Sequence, residues 1–216
     1  MSNMKTEIWL IRHGETDWNA QQRLQGWIDI PLNEMGKQQA LAVRRYVQQH
    51  QLQVDHVISS DLCRAAETAQ IAFELPAGAI TCYNSLRERN YGIYEGELWQ
   101  KLTATDGLNQ PKLNLREPTL DIPQGESLTV FNERIIAAFN QLADQYSGKK
   151  LAVFAHGGVI DIVWRHLYQV DLFSQRPHPI LNASVNHFSI LSGSPWQPIH
   201  WAQHDHLDSA LDDVGI

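Results

Sequence analysis

Two apolar runs in this chain each break off at a histidine followed by glycine. Glu7 to Ile11 (EIWLI) leads into Arg12-His13-Gly14, and Leu151 to Ala155 (LAVFA) leads into His156-Gly157-Gly158. A short run without polar interruption is the pattern of a strand buried on both faces. Such a strand needs helices above and below it. The pattern therefore constrains the chain to an α/β architecture before any other feature is considered.

The remaining segments supply those helices and further strands. Asn33 is a candidate N-cap for a helix carrying Ala40, Leu41, Val43 and Val47 at helical spacing. His56 to Ser60 reads as a second strand. Asp61 then offers a cap for a helix through Arg64 and Thr68 to Phe73, stopped by Pro76 and Gly78. Ala79 to Tyr83 reads as a third short strand. Gly125-Glu126-Ser127 precedes a helix from Leu128 to Tyr146, closed by Gly148. The segment after His156 places Val159, Ile160, Ile162, Val163 and Leu167 on a further helix. Ser184 to Leu191 and Trp196 to Trp201 read as strands whose short Gly193-Ser194-Pro195 link favours an antiparallel hairpin.

The fold expected is a three-layer α/β/α sandwich with a mostly parallel central sheet and an antiparallel edge. The whole chain, 216 residues and 43% hydrophobic, suits one domain over 1–216. The stretch 95–124 fits no element and is read as an insertion, or lid, over the active face.

Composition narrows the function. A net charge of −7 repels polyanions, which argues against nucleic acid as a partner. Neither Cys63 nor Cys82 sits in a metal-ligand pattern, and no disulfide framework is expected. No apolar stretch is long enough to span a bilayer, and the N-terminal run is too short for a signal peptide. These features read together as a cytoplasmic protein with no membrane partner. Its oligomeric state is unreadable, with a homodimer left open. His200, His204 and His206 match no standard ligand spacing and are read as part of an exposed polar tail, so no metal or cofactor is expected.

In an open parallel sheet, ligands sit beyond the carboxyl ends of the strands. His13 and His156 occupy such ends. Arg64 lies in the first turn after the second strand, and Glu88 in the loop after the third. Their chemistry fits phosphoryl transfer, which needs an in-line nucleophile, charge on the equatorial oxygens and a proton for the leaving oxygen. A neutral imidazole can attack phosphorus. Arg12 and Arg64 offer planar forks that match phosphate. His156 can donate a further bond, and Glu88 can protonate the leaving alkoxide if it stays neutral. Each residue also has a bland alternative. Arg64 could pair with Glu67 on an exposed helix face, and Glu88 could be one of a solvated cluster with Arg87 and Arg89.

Arg12-His13-Gly14-Glu15-Thr16 resembles the signature of the histidine phosphatase superfamily, in its phosphoglycerate mutase-like branch. The segments Ser59 to Ala69, Leu86-Arg87-Glu88 with Tyr91-Gly92, and Ala155 to Ile160 resemble the family's other motifs in the expected order. The resemblance implies His13 as nucleophile through a phosphohistidine intermediate. It implies Arg12, Arg64 and His156 as phosphoryl holders and Glu88 as proton donor. Asn19 and the backbone near Gly157 are implied as further phosphate contacts, and Gln25, Gly26 and Tyr91 as lining for the substrate. The substrate implied is a small phosphorylated metabolite.

Hydrolysis of a phosphomonoester is the leading expectation. A cofactor-dependent phosphoglycerate mutase is the alternative, and a catalytically silent module on the same fold is a third. The segment 95–124 lacks the paired arginines that the family's mutases carry; its cations are Lys101, Lys112 and Arg116. Gln25 resembles the phosphatase branch, whereas Arg89 and Tyr91 resemble mutase positions.

Overall fold

The computed structural model describes residues 4–76, 78–103 and 113–213. The chain starts with strand β1 (Thr6–Arg12), the single turn α1 (Asp17–Ala20) and helix α2 (Glu34–Gln49). Strand β2 (His56–Ser60), helix α3 (Cys63–Phe73) and strand β3 (Thr81–Tyr83) follow. Then come the short helix α4 (Trp99–Thr103), helix α5 (Leu128–Gln145), strand β4 (Lys150–Ala155) and helix α6 (Gly157–Tyr168). Strands β5 (Val185–Ile190) and β6 (Gln197–Gln203) come last.

The strands form one sheet in the order β3-β2-β4-β1-β5-β6. The pairs β1–β4, β2–β4 and β2–β3 are parallel, and β5 and β6 form an antiparallel edge. That is the sheet expected from the sequence. Alternation along each central strand sorts its side chains to two faces. Ile8, Leu10, Leu151 and Val153 pack with Phe131, Phe139 and Ile160 of α5 and α6. Trp9, Ile11, Ala152 and Phe154 pack with Val43, Tyr46, Ala65 and Ala69 of α2 and α3. Each large aliphatic or aromatic side chain removed from water in this way contributes about 1.5–3 kcal/mol. The residues of β1 and β4 are buried on both faces, which is why their sequences show no polar alternation.

The helix termini explain the boundaries and hold one correction. Asn33 caps α2 by accepting from the Gly36 amide, and Ser127 caps α5 by accepting from the Val130 amide. Asp61 does not cap α3. The N-cap is Leu62, so Asp61 falls one residue too early, and its carboxylate takes a two-pronged bond from Arg87 at 2.7 and 2.6 Å. The first amide of α3, at Cys63, goes instead to Asp29 Oδ1 at 2.8 Å. The helix ends at Glu74, which takes the left-handed conformation (φ 54°) before Pro76 is reached.

Part of the segment 95–124, including Lys112, lies outside the described residues. Its described parts pack on a small apolar cluster of their own, in which Leu115 and Ile122 meet Leu24 and Tyr91. The C-terminal stretch also departs from the expectation of an exposed tail. His200 and His204 are exposed, but His206 Nε2 reaches the Ala183 carbonyl at 3.0 Å. Asp212 then pairs with Leu181 as an isolated antiparallel bridge, which leads the chain back across the ends of the strands.

Candidate active site

The topology gathers the expected residues. Neighbouring parallel strands β1 and β4 end at His13 and His156, whose ring centroids are 5.3 Å apart. Arg64 comes from the first turn of α3 and Glu88 from the loop beyond β3, so all four lie at carboxyl ends of parallel strands. One cleft is lined by His13, Asn19, Gln25, Gly26, Arg64, Glu88 and Tyr91. Arg12 and His156 are buried behind it, and Gly157 opens α6 beside it.

His13 is fixed by the turn that carries it. Its Nδ1 lies 2.6 Å from the Gly14 carbonyl. A carbonyl can only accept, so Nδ1 carries the proton and Nε2 keeps a lone pair. Asn182 Nδ2 holds the His13 carbonyl at 3.1 Å, and the Gly14 amide donates to Thr68 Oγ1 at 3.0 Å. Gly14 packs on the backbone of Gly36, where a Cβ would fall inside contact distance of the Gly36 carbonyl oxygen. Burial, then the charges of Arg64 and Arg12, holds the His13 pKa well below its ordinary value. The ring is therefore neutral near pH 7.

His156 is oriented from behind by Ser60. The Ser60 hydroxyl oxygen accepts from the Leu62 amide at 3.3 Å and lies 2.9 Å from His156 Nε2. This contact fixes the plane of the imidazole ring. Its Nδ1 is buried with no hydrogen-bond partner among the described residues. Burial, followed by the charges of Arg64, His13 and Arg12, also keeps this ring neutral.

The two arginines are held differently. Arg64 is no surface residue paired with Glu67. It is 1% exposed and donates to the Gly26 and Ile28 carbonyls at 2.8 and 3.0 Å. Burial lowers its pKa to about 10, so it stays charged, and its Nε has no partner. Arg12 donates to the Ile180 and Leu211 carbonyls and forms an ion pair with Asp213 at 3.2 Å. Its Nε is likewise buried and unpartnered.

Glu88 is buried rather than solvated. Its oxygens accept from the Arg89 amide at 2.8 Å and the Gly158 amide at 2.9 Å. Burial, and then the nearby charge of Asp213, raises its pKa to about 7 against the pull of those two amides. Its flanking arginines are turned away to other tasks. Arg87 pairs with Asp61, and Arg89 is buried on the carbonyls of Leu115 and Glu126. Asn19 has its Oδ1 engaged by the Thr16 amide in the capping box of α1, which leaves its amide donors for a ligand. Trp27 holds this loop from outside, its Nε1 donating to the Glu88 carbonyl at 2.8 Å.

Three contributors escaped the sequence. Ser60 lies inside a quoted motif but received no role, and nothing in its neighbourhood marks it as the partner of His156. Asn182 and Asp213 lie in C-terminal segments without a motif, and only the tertiary path of the chain brings them to the cleft. Conversely, the three C-terminal histidines do not converge. Among the described residues no group of three or more His, Cys, Asp or Glu side chains is placed to hold a metal ion.

A profile of the histidine phosphatase superfamily (branch 1) matches residues 8–204. The chain belongs to that superfamily. Histidine phosphatases of known sequence bear this out across nearly its full length. The chain is 37% identical over 205 residues to phosphoglycerate mutase-like protein 4 of Arabidopsis thaliana, covering 94% of this chain and 87% of the other. It is 34% identical over 212 residues to a metal-independent phosphoserine phosphatase of the same plant, covering 94% and 84%. Among solved structures, Bacillus stearothermophilus YhfR superposes with a TM-score of 0.79 at 26% identity, covering 93% of this chain and 98% of the other. A phosphoserine phosphatase of Entamoeba histolytica gives 0.78 at 25% identity, covering 94% and 99%. This superfamily holds both phosphatases and mutases, as those names reflect. Among the described residues no helix is long and apolar enough to cross a membrane.

Proposed function

We propose that the protein hydrolyses a small phosphomonoester through a phosphohistidine on His13. The observation that carries this reading is the pairing of opposite proton states in one cleft. His13 presents a free Nε2 lone pair, while Glu88 holds its proton up to about pH 7. A nucleophile and an acid set apart in this way are what phosphoryl transfer to an alkoxide leaving group requires.

The steps follow from the groups present. The phosphoryl group of the substrate docks against the Nε atoms of Arg12 and Arg64, the Nδ1 of His156 and the Asn19 amide. The Gly157 amide, Gln25 and Gly26 complete the cradle, and Tyr91 forms the wall toward the organic part. His13 Nε2 attacks phosphorus as the P–O ester bond breaks. Glu88 gives its proton to the departing oxygen, which leaves as an alcohol. Water then attacks the phosphohistidine, with the ionised Glu88 taking its proton, and phosphate and free His13 result. All charge compensation comes from protein side chains, so the reaction calls for no divalent ion.

Hydrolysis is the outcome we infer over isomerisation. A mutase must grip a second anionic group while it excludes water. Lys101 is spent on Glu97 at the surface, at 2.7 Å. Asp213 puts a negative charge into the cleft. We read the segment 95–124, whose Leu115 and Ile122 pack on Leu24 and Tyr91, as a lid within a single domain. Mixing the enzyme with phosphate-labelled substrate and quenching in alkali is expected to trap label on His13, since phosphohistidine survives base. Supplying 3-phosphoglycerate with catalytic 2,3-bisphosphoglycerate should release phosphate faster than 2-phosphoglycerate forms. Faster isomer formation would make the protein a mutase.

A further inference from the structure

The loop whose carbonyls seat Arg64 is itself gripped by the carboxylate of Glu95. Glu95 Oε1 accepts from the Trp27 amide at 2.8 Å and from the Tyr91 amide at 3.1 Å. Its Oε2 accepts from the Ile28 amide at 3.1 Å, an N–H shared with the Gln25 carbonyl. Paired backbones deliver this side chain. The Gly96 amide donates to the Leu24 carbonyl at 2.8 Å, and the Leu24 amide donates to the Glu97 carbonyl at 3.0 Å. Arg23, which lines the cleft, adds a bond to the Gly96 carbonyl at 2.8 Å. Gly26 completes the fit. It takes the left-handed conformation (φ 52°), and a Cβ there would fall inside the Glu95 carboxylate.

Glu95 and Arg64 meet the same peptide group from opposite sides. The Gly26 carbonyl and the Trp27 N–H belong to one peptide. Arg64 Nη2 donates to that carbonyl at 2.8 Å, and that N–H donates to Glu95 Oε1. The bonds therefore run from guanidinium through a single amide to carboxylate, and hydrogen bonds linked in this way polarise one another. Arg64 Nη1 donates to the Ile28 carbonyl at 3.0 Å, and the Ile28 amide is also held by Glu95. Both Nη atoms thus rest on a loop whose amides end on Glu95. The Nε atom is the buried group left without a partner. The loop has a second attachment, because Asp29 Oδ1 accepts from the Cys63 amide at 2.8 Å. Glu95 is therefore not needed to tether the loop to the domain. What it adds is the orientation of the Gly26–Trp27 peptide.

Resting on the phosphomonoesterase reading above, we propose that Glu95 is a positioning residue for phosphoryl transfer, which sets the orientation of Arg64 through the Gly26–Trp27 peptide. It acts through the backbone and not as a direct ion-pair partner, so the guanidinium keeps its charge for the phosphoryl group. Two carbonyls held at a fixed angle turn the planar fork so that Nε faces the cleft. The Tyr91 amide ends on the same Glu95 oxygen, so the wall toward the organic part of the substrate shares this anchor.

The test is a double-mutant cycle with two readouts: kcat/KM on p-nitrophenyl phosphate, and the dissociation constant of inorganic phosphate from calorimetry. Glu95→Gln keeps the length of the side chain, removes its charge and turns an NH2 group toward a backbone N–H. Both readouts should weaken about 10- to 100-fold, the worth of one hydrogen bond to a charged group. Arg64→Ala removes the group through which Glu95 acts. In that background Glu95→Gln should change either readout by less than about twofold. A Glu95→Gln effect undiminished in Arg64→Ala would show a general loss of structure and overturn the proposal. A Glu95→Gln enzyme equal to wild type would overturn it as well. Should Glu95→Gln fail to fold, Glu95→Asp takes its place in the cycle, since it keeps the charge but is one methylene too short for the loop. A wild type that binds phosphate but turns over no ester overturns the phosphomonoesterase reading alone, and the phosphate cycle then decides the role of Glu95. A wild type that does neither overturns both.

Discussion

Replacing Glu88 by Gln keeps the outline of the side chain and removes its transferable proton. The structure lets the consequences be separated. Both Glu88 oxygens accept from backbone amides, those of Arg89 and Gly158. A Gln can satisfy only one of them, because its NH2 group would face the other N–H. Some displacement of the side chain is therefore expected, and it lowers activity on every substrate alike. Proton delivery affects only substrates whose leaving oxygen is a strong base. The comparison that isolates the acid is the ratio of kcat/KM for an alkyl phosphate to that for p-nitrophenyl phosphate, whose leaving group needs little protonation. General acid catalysis contributes about 100- to 10,000-fold, so the ratio should fall by that order in Glu88→Gln.

The pH dependence gives an independent reading of the same group. With a pKa of about 7, Glu88 is about 90% protonated at pH 6 and about 10% at pH 8. Wild-type kcat/KM on alkyl phosphates should thus drop about ninefold between those two values, as the acid form is lost. His13 and His156 are both held well below the ordinary histidine value and stay neutral through this range, so they add no alkaline limb. In Glu88→Gln the limb should vanish. Stopped assays of released phosphate from pH 5 to 9 measure both effects. Equal losses on alkyl and aryl substrates, or an alkaline limb that persists in the variant, would refute Glu88 as the acid.

His13→Ala should abolish turnover and alkali-stable labelling while the thermal midpoint stays within a few degrees of wild type; residual turnover of any size above the uncatalysed rate would exclude the phosphohistidine route. Activity should survive exhaustive chelation, and loss followed by recovery with zinc or magnesium would point to a metal site. Ser60→Ala should lower kcat/KM about 5- to 10-fold, the worth of one hydrogen bond of about 1 kcal/mol, by freeing the His156 ring to turn, and Ser60→Thr should restore most of it. Because folding raises the Glu88 pKa from 4.5 to about 7, its contribution to stability is complete below about pH 4.5 and is lost as pH rises through about 7. Thermal unfolding across pH 4 to 9 should show wild type losing stability relative to Glu88→Gln over that window, and parallel curves would contradict the buried, proton-holding state.

The legible parts of this chain are those where one local rule dominates. The strands β1 and β4 declared themselves because burial on both faces suppresses polar alternation, and the His13 and His156 positions followed from the ends of those strands. The Asn33 cap was readable because Asn at that place has a single strong use. Asp61 was misread as a cap because sequence offers no way to weigh a cap against a distant arginine, and Arg87 lies 26 positions along the chain. Asp213 was illegible for the same reason in stronger form. Its role depends on a tail that bridges to 180–182, and nothing in a run of acidic residues distinguishes a fastened carboxylate from a solvated one.

The choice of hydrogen-bond partners for the two arginines explains how an acidic protein can hold a phosphate. A net charge of −7 sets an unfavourable field for any dianion that approaches from solvent. Inside the cleft the balance is reversed locally, because Arg64 is bonded to two carbonyls and to no carboxylate. Carbonyls position a guanidinium without neutralising it, so its full charge faces the cleft at the expense of burying an uncompensated cation. Arg12 keeps less, since Asp213 cancels part of its charge. The cradle is thus asymmetric: the Arg64 side is bare cation, and the Arg12 side is an ion pair with one open oxygen. A phosphoryl group held between the two arginines therefore meets the stronger charge on the Arg64 side, where no carboxylate shares the guanidinium.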